Sequence, residues 1–262
     1  MRKSFLSMLS FAFLALPMYA ADTNHDGFET ILFPIAIVGS SNNTVPGAYG
    51  TQWQGEIWVR NASLVTVLLE GRPPCPFENC TSPVAAGFTG RFAPGVAASG
   101  TRGLLLEPRV EDAASVTFSN RVSEVTRHAQ PQGFEVPVVR EGDFFTGPSD
   151  FLGLPGGVAV RSTLRIYDPR RVPGTAVTVQ ILDSTNKVVG ETTVATTFSN
   201  ATPADTVEPG FAMLDLGSIF PVIAGLDRYH VRVTPVTTGS EYWAIASVTD
   251  NDTQQVLIVT PQ

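Results

Sequence analysis

Histidine is the side chain most suited to proton transfer near neutrality, and the chain has only three: His25, His128 and His230. A serine or cysteine hydrolase needs nucleophile, base and orienting acid brought together. The Gly-x-Ser-x-Gly turn that presents such a serine in one large class does not occur. His25 lies near the start, His128 beside a Gln-Pro-Gln segment, and His230 at an outward position of an alternating strand, so each reads as a surface residue. A pair of carboxylates can cleave a glycosidic bond without histidine. Acids are plentiful but no pair is singled out by spacing, so a carboxylate-dependent hydrolase stays open with no catalytic residue assigned. No cofactor motif is found, and no cofactor is expected.

Metal-binding chemistry has one fragment. Asp22, Asn24 and Asp26 followed by Gly27 reproduce the first half of a calcium loop, with oxygen ligands at alternate positions and glycine at the sixth. The bidentate acid due at the twelfth position is replaced by Phe33, so a flexible polar segment is the simpler reading. Asp250, Asn251 and Asp252 sit between two strands and read as turn chemistry, because Asx side chains bond their own backbone there. Cys75 and Cys80, the two cysteines, enclose four residues. Redox motifs enclose two, and two thiols with no histidine nearby fall short of a zinc site. A structural disulfide closing a small loop is expected in an oxidising compartment.

Binding chemistry has two candidates. Arg161 and Arg165 fall four apart, which in a strand keeps them on one face. With Arg170 and Arg171 beyond them they can hold a carboxylate or sulfate through forked hydrogen bonds. The plainer reading is cross-strand pairing with acids such as Glu191 or Asp183. Tyr49 and Trp53 lie in a Gly-rich connection, where binding residues concentrate. With Trp58 they make either a flat platform for a sugar or polymer, or ordinary packing, since a buried tryptophan is a normal sandwich element. Tyr49, Trp53, Arg161 and Arg165 are the binding candidates.

The elements that must position these residues are strands. Val-, Ile-, Thr- and aromatic-rich runs bounded by Gly, Pro, Asn and Asp recur from residue 29 onward. The 43 prolines and glycines would break most helices. Only 216–224 offers a helical turn. Residues 229–234 alternate cleanly, placing Tyr229, Val231 and Val233 inward and His230, Arg232 and Thr234 outward.

Ahead of the strands, Arg2 and Lys3 precede an apolar run over 5–16, Pro17, and the small residues Ala20 and Ala21. That order predicts a secretory signal peptide over 1–21, the run being shorter than the roughly 20 residues of a spanning helix. An exported protein, periplasmic or extracellular, is expected, with no membrane span in the mature chain. Without Arg2 and Lys3 the chain carries 15 basic and 24 acidic residues, a net charge of about −9. Such a surface repels phosphate, which excludes nucleic acid as a natural partner, and it repels anionic lipid likewise.

The strand pattern repeats. Glu56-Ile-Trp-Val-Arg-Asn61 followed by 65–69 lies over 163–168 followed by 177–182, and Gln130-Pro-Gln132 answers Thr260-Pro-Gln262. The opening 32–35 lies over 135–138. A period of about 105 residues predicts two copies of one domain. The expected division is a flexible 22–28, a β-sandwich over 29–133 and a second over 134–262. The fold class is all-β: two tandem immunoglobulin-like antiparallel sandwiches after the signal peptide.

Three stretches carry a resemblance. They are Pro46-Gly-Ala-Tyr-Gly-Thr-Gln-Trp53 with Glu56 to Asn61, Glu135-Val-Pro-Val-Val-Arg-Glu141 leading to Leu164-Arg-Ile-Tyr-Asp168, and Ser247 to Gln254 with the closing Thr260-Pro-Gln262. The chain resembles an uncharacterised group of secreted bacterial proteins with tandem immunoglobulin-like domains. The resemblance implies an exported sandwich and carries no activity or site residues. Bacterial origin would make the sequons at Asn42, Asn61, Asn79, Asn200 and Asn251 coincidental. The expected function is a non-enzymatic binding or adhesion module for a polysaccharide or an envelope or extracellular protein. The alternative is a structural accessory subunit joining partners through sheet edges such as 255–260.

Overall fold

The computed structural model describes residues 27–37, 44–70, 81–93, 102–126, 133–172, 174–198 and 208–262. Ten strands come first: β1 (Ile31–Phe33), β2 (Thr44–Pro46), β3 (Gln52–Asn61), β4 (Val67–Glu70), β5 (Thr81–Val84), β6 (Thr89–Phe92), β7 (Leu104–Pro108), β8 (Val116–Glu124), β9 (Phe134–Val136) and β10 (Val139–Arg140). Eight follow: β11 (Ser149–Pro155), β12 (Val160–Asp168), β13 (Ala176–Leu182), β14 (Val188–Ala195), β15 (Gly210–Asp215), β16 (Arg228–Pro235), β17 (Trp243–Asp250) and β18 (Val256–Val259). The α-helices are single turns, α1 (Val110–Ala113) and α2 (Leu216–Ile219). Asp215 caps α2, its Oδ1 accepting from Gly217 N and Ser218 N, and a 3-10 turn over Pro221–Gly225 follows. None of these helices is long and apolar enough to cross a membrane.

Among the described residues every pairing is antiparallel, and four sheets result. One is ordered β10-β1-β7-β4-β5, and another β2-β3-β8-β9 with β6 alongside β3. The remaining two are β11-β16-β13-β14 and β15-β12-β17-β18. The order β1-β7-β4-β5 matches β11-β16-β13-β14 strand for strand, and β6-β3-β8-β9 matches β15-β12-β17-β18. Among the described strands only β2 and β10 lack counterparts. Strand pairing runs past Gly133, since β9 pairs with β8 and β10 with β1. Segment 134–136 therefore corresponds to β18, not to β1 as the overlay of 135–138 on 32–35 has it. Gly133 enters β9 at φ +67°, and a Cβ there would lie 2.4 Å from the Val122 carbonyl oxygen, an approach that glycine permits.

Alternation builds two of the three cores. Leu164 and Ile166 of β12, Val177, Val179 and Ile181 of β13, and Tyr229, Val231 and Val233 of β16 face one another between the later two sheets. Ile31 and Phe33, Ile57 and Val59, Val67 and Leu69, and Leu104 and Leu106 do the same between the earlier two. The opposite faces of β1, β7, β12 and β17 are also covered. Leu32 and Leu105 meet Tyr167, Phe211, Trp243 and Ile245 in a third core that joins the two halves. Burial on both faces explains why Ile31-Leu32-Phe33 and Leu104-Leu105-Leu106 are continuous apolar runs and not alternating ones. Each such side chain removed from water is worth roughly 1.5–3 kcal/mol, so the junction is a true core.

Candidate functional site: a cleft between the halves

Along β12 and β17 the face that enters the joining core changes character midway. Tyr167 pairs with Trp243 and Arg165 with Ile245, then Thr163 with Ser247 and Arg161 with Thr249. Side chains two apart share a strand face, so an apolar half and a cationic, hydroxyl-bearing half lie end to end. The apolar half fills the core. Beside the polar half the earlier sheets stand off, leaving a cavity of about 340 Å³ whose floor includes Arg161, Thr163, Arg165, Ser247 and Thr249.

Its far wall comes from the first half: the β2–β3 hairpin with Val45 and Trp53, and Phe134 of β9. Trp53 points to the same side of β3 as Ile57 and Val59 but lies outside their core, against the joining one. Its indole stands edge-on to Phe134 with ring centroids 6.0 Å apart, and its Nε1 donates to Thr51 Oγ1 at 3.2 Å. Gly47 lets the ring lie this close, because a Cβ there would sit 2.3 Å from Nε1. The hairpin is closed by Gly47 N donating to Thr51 O at 2.8 Å.

The two arginines are held differently. Arg161 donates from Nη1 to Asn251 Oδ1 at 3.0 Å and from Nη2 to Gln254 Oε1 at 2.7 Å. The 250–254 turn fixes both acceptors: Asp250 Oδ1 accepts from Asp252 N and Thr253 N, and Gln254 is fully buried at φ 61°. Arg165 donates from Nη1 to Ser247 Oγ at 2.8 Å, while its Nε is shut from solvent with no hydrogen-bond partner. No carboxylate pairs with Arg165 among the described residues, and none lines the cavity. Burial pulls the Arg165 guanidinium below its ordinary value, against a smaller opposing influence of Tyr167. Arginine remains a cation there at neutral pH. A cationic floor, three hydroxyls and apolar walls suit an anion with an apolar body, and no His, Asp or Glu is among the described residues that line the cavity.

Of the four binding candidates the structure brings Trp53, Arg161 and Arg165 into this one cavity. Tyr49 belongs to the adjoining turn Ala48–Gly50, and its side chain lies outside the described residues. Of the acids named for the plainer pairing neither bonds these arginines: Glu191 accepts from Gln180 Nε2 at 2.6 Å and Asp183 closes a turn with Thr185 and Lys187, both on the other sheet. Arg170 leaves the patch to bond Glu241 at 2.6 Å and Glu141 at 2.5 Å. That guanidinium engages both acids at once. Trp58 is no part of a platform with Trp53, being 44% exposed on the opposite face of β3.

Other candidates resolve simply. His230 Nδ1 accepts from Gly153 N at 2.9 Å and fixes a bulge in β11. Asn61 is buried, donating to the carbonyls of Val65, Val84 and Ala85, and so is no glycan acceptor in the folded chain. His25, His128, the Asp22, Asn24 and Asp26 fragment, Cys75 and Cys80 lie outside the described residues, as does the signal segment 1–21. No cluster of three or more metal-binding side chains occurs among the described residues.

Phe134, Ser247 and Thr249 were not singled out from sequence. The available signal was that Ser247 and Thr249 continue the face of Trp243 and Ile245 in a strand whose other residues up to Val248 are apolar. No known protein family, curated protein or solved structure matches the chain significantly.

Proposed function

We propose that the protein is an exported, non-enzymatic recognition module of two tandem immunoglobulin-like sandwiches that takes its ligand in the cleft between them. The observation that carries this reading is convergence: Trp53 from one half and Arg161 and Arg165 from the other line a single cavity. Ligand sites concentrate at such junctions. The immunoglobulin likeness is supported by the neighbours β12–β15 and β13–β16, which repeat the B–E and C–F neighbours of that sandwich. The flanking strands are exchanged, with β11 beside β16 and β17 beside β12. Export rests on the 1–21 pattern, and mass spectrometry of the secreted protein tests it: an N-terminus at or near Asp22 is expected.

The test is a pull-down of the exported protein on insoluble polysaccharides and isolated cell envelopes, with a Trp53→Ala variant of matching circular dichroism. Saturable retention lost in the variant supports recognition in the cleft. Retention unaffected by Trp53→Ala moves the contact elsewhere, and no retention on any matrix sinks the adhesive reading.

The second reading, an accessory subunit joined through sheet edges, is favoured by β14. This eight-residue strand ends its sheet, with β13 as its one strand neighbour among the described residues, and contains no proline. The edge first considered, β18, pairs with β17 and packs against β9.

A further inference from the structure

We infer that the cleft recognises a single carboxylate carried on a small apolar body, with the anion on Arg165 and the body against Trp53 and Phe134; this rests on the cleft being the ligand site. Three observations carry it.

The first is Arg165. Its guanidinium lines the cavity and is held through Nη1 by the neutral Ser247 hydroxyl, with no carboxylate paired to it among the described residues. A cation withdrawn from water without a counter-charge is expensive to keep, and a planar anion supplies the missing acceptors in matching geometry. The second is the surrounding surface. Thr163, Ser247 and Thr249 add hydroxyl donors beside Arg165, while Ile35, Val122, Met213 and Ile258 make the rest of the lining apolar. Sugars present hydroxyls in every direction and would leave most of them unpaired against those walls, so the body is hydrocarbon or aromatic. The third is size. About 340 Å³ equals on the order of eleven waters of liquid volume, which suits one ring or a short acyl chain. The anion is a free acid or the exposed end group of an envelope component; the chemistry recognised is the same.

The experiment is calorimetric titration of the exported protein with 3-phenylpropionate and octanoate, beside 3-phenylpropionamide and octanamide. Arg165→Met is the test variant. Arg232→Met is the control, since Arg232 is paired with Asp150 on the far sheet. Binding of the acids is expected to be saturable and to weaken about tenfold or more in the amides and in Arg165→Met, the scale of one charge-assisted hydrogen bond. Arg232→Met should bind as the parent does. Equal binding of acid and amide overturns the inference, and because that comparison uses the unaltered protein it stands even if Arg165→Met fails to fold. Unchanged affinity in a folded Arg165→Met overturns it too. If neither acid binds while envelope retention still depends on Trp53, the carboxylate inference fails and the recognition reading survives. Loss of envelope retention on adding 3-phenylpropionate identifies a displayed end group as the source, whereas binding without competition identifies a free acid.

Discussion

The Tyr167 hydroxyl, on β12, donates a hydrogen bond to the carbonyl of Pro34, which follows β1. The ring lies 5.4 Å from Phe211 and 6.3 Å from Trp243, centroid to centroid, so the bond is made inside the core joining the halves. Tyr167→Phe keeps the ring and deprives a buried carbonyl of its donor, at a cost of about 1–3 kcal/mol. Denaturant unfolding should show a lower midpoint at unchanged slope. An unchanged midpoint would mean that the carbonyl finds another donor on losing this one.

Arg165 predicts the opposite sign. A guanidinium withdrawn from water with no carboxylate partner among the described residues destabilises the fold it sits in, so Arg165→Met should raise stability by about 1 kcal/mol or more. Methionine follows the same stem and fills the space with apolar surface. Thermal unfolding of the ligand-free protein reads this directly as a higher Tm. A lower Tm would show that the Ser247 bond outweighs the burial of the charge. A residue that weakens the fold where function is proposed is the expected trade between stability and activity.

The strands were legible because one-sided burial writes itself as alternation, as in Tyr229 to Thr234, where each inward side chain is fully buried. The joining core was legible only in hindsight. Leu104-Leu105-Leu106 breaks alternation because both its faces are covered, yet a short apolar run alone also fits a helix. The cleft was harder still. Arg165 and Ser247 stand 82 residues apart, and their meeting depends on the β12–β17 register, which no local pattern states. The shared face of Arg161 and Arg165 follows from spacing, but the face it opposes depends on how the halves stack. Sequence thus supplied the residues and withheld the partner surface.

Asp168 gives a pH dependence. Burial pushes its carboxyl up to about 6, against the opposing pull of Thr175 and the N–H groups of Val172, Arg170 and Arg171. An unfolded aspartate titrates near 3.9, so the folded chain holds this proton more tightly than the unfolded one. The resulting stabilisation is fully present below about pH 4 and is lost as pH rises through about 6, with an upper scale of about 3 kcal/mol. The prediction is a fall in stability over that window that flattens in Asp168→Asn, whose side chain stays neutral throughout. Denaturation midpoints at pH 4, 5, 6 and 7 test it. Identical pH profiles for both proteins would show that Asp168 keeps its ordinary affinity for the proton.

Gly47 controls the cleft without touching its charge. Its backbone, at φ −110°, suits any residue, so alanine there strains no turn. The difficulty lies in the side chain, since the added carbon would stand 2.3 Å from Trp53 Nε1 and 2.4 Å from Thr51 Oγ1. The indole is rigid and braced by Phe134, and the carbon can be accommodated only if the ring moves. Gly47→Ala should therefore shift the Trp53 indole N–H resonance and weaken ligand binding. Other amide resonances, including those of β12 and β17, should hold. Stability should fall only by the roughly 1–3 kcal/mol typical of overpacking. Unchanged indole chemical shift and unchanged binding would mean that Thr51 yields instead of Trp53. The distinction matters because Arg165 is untouched in this variant. Lost binding would then show that the aromatic wall is required alongside the cationic floor.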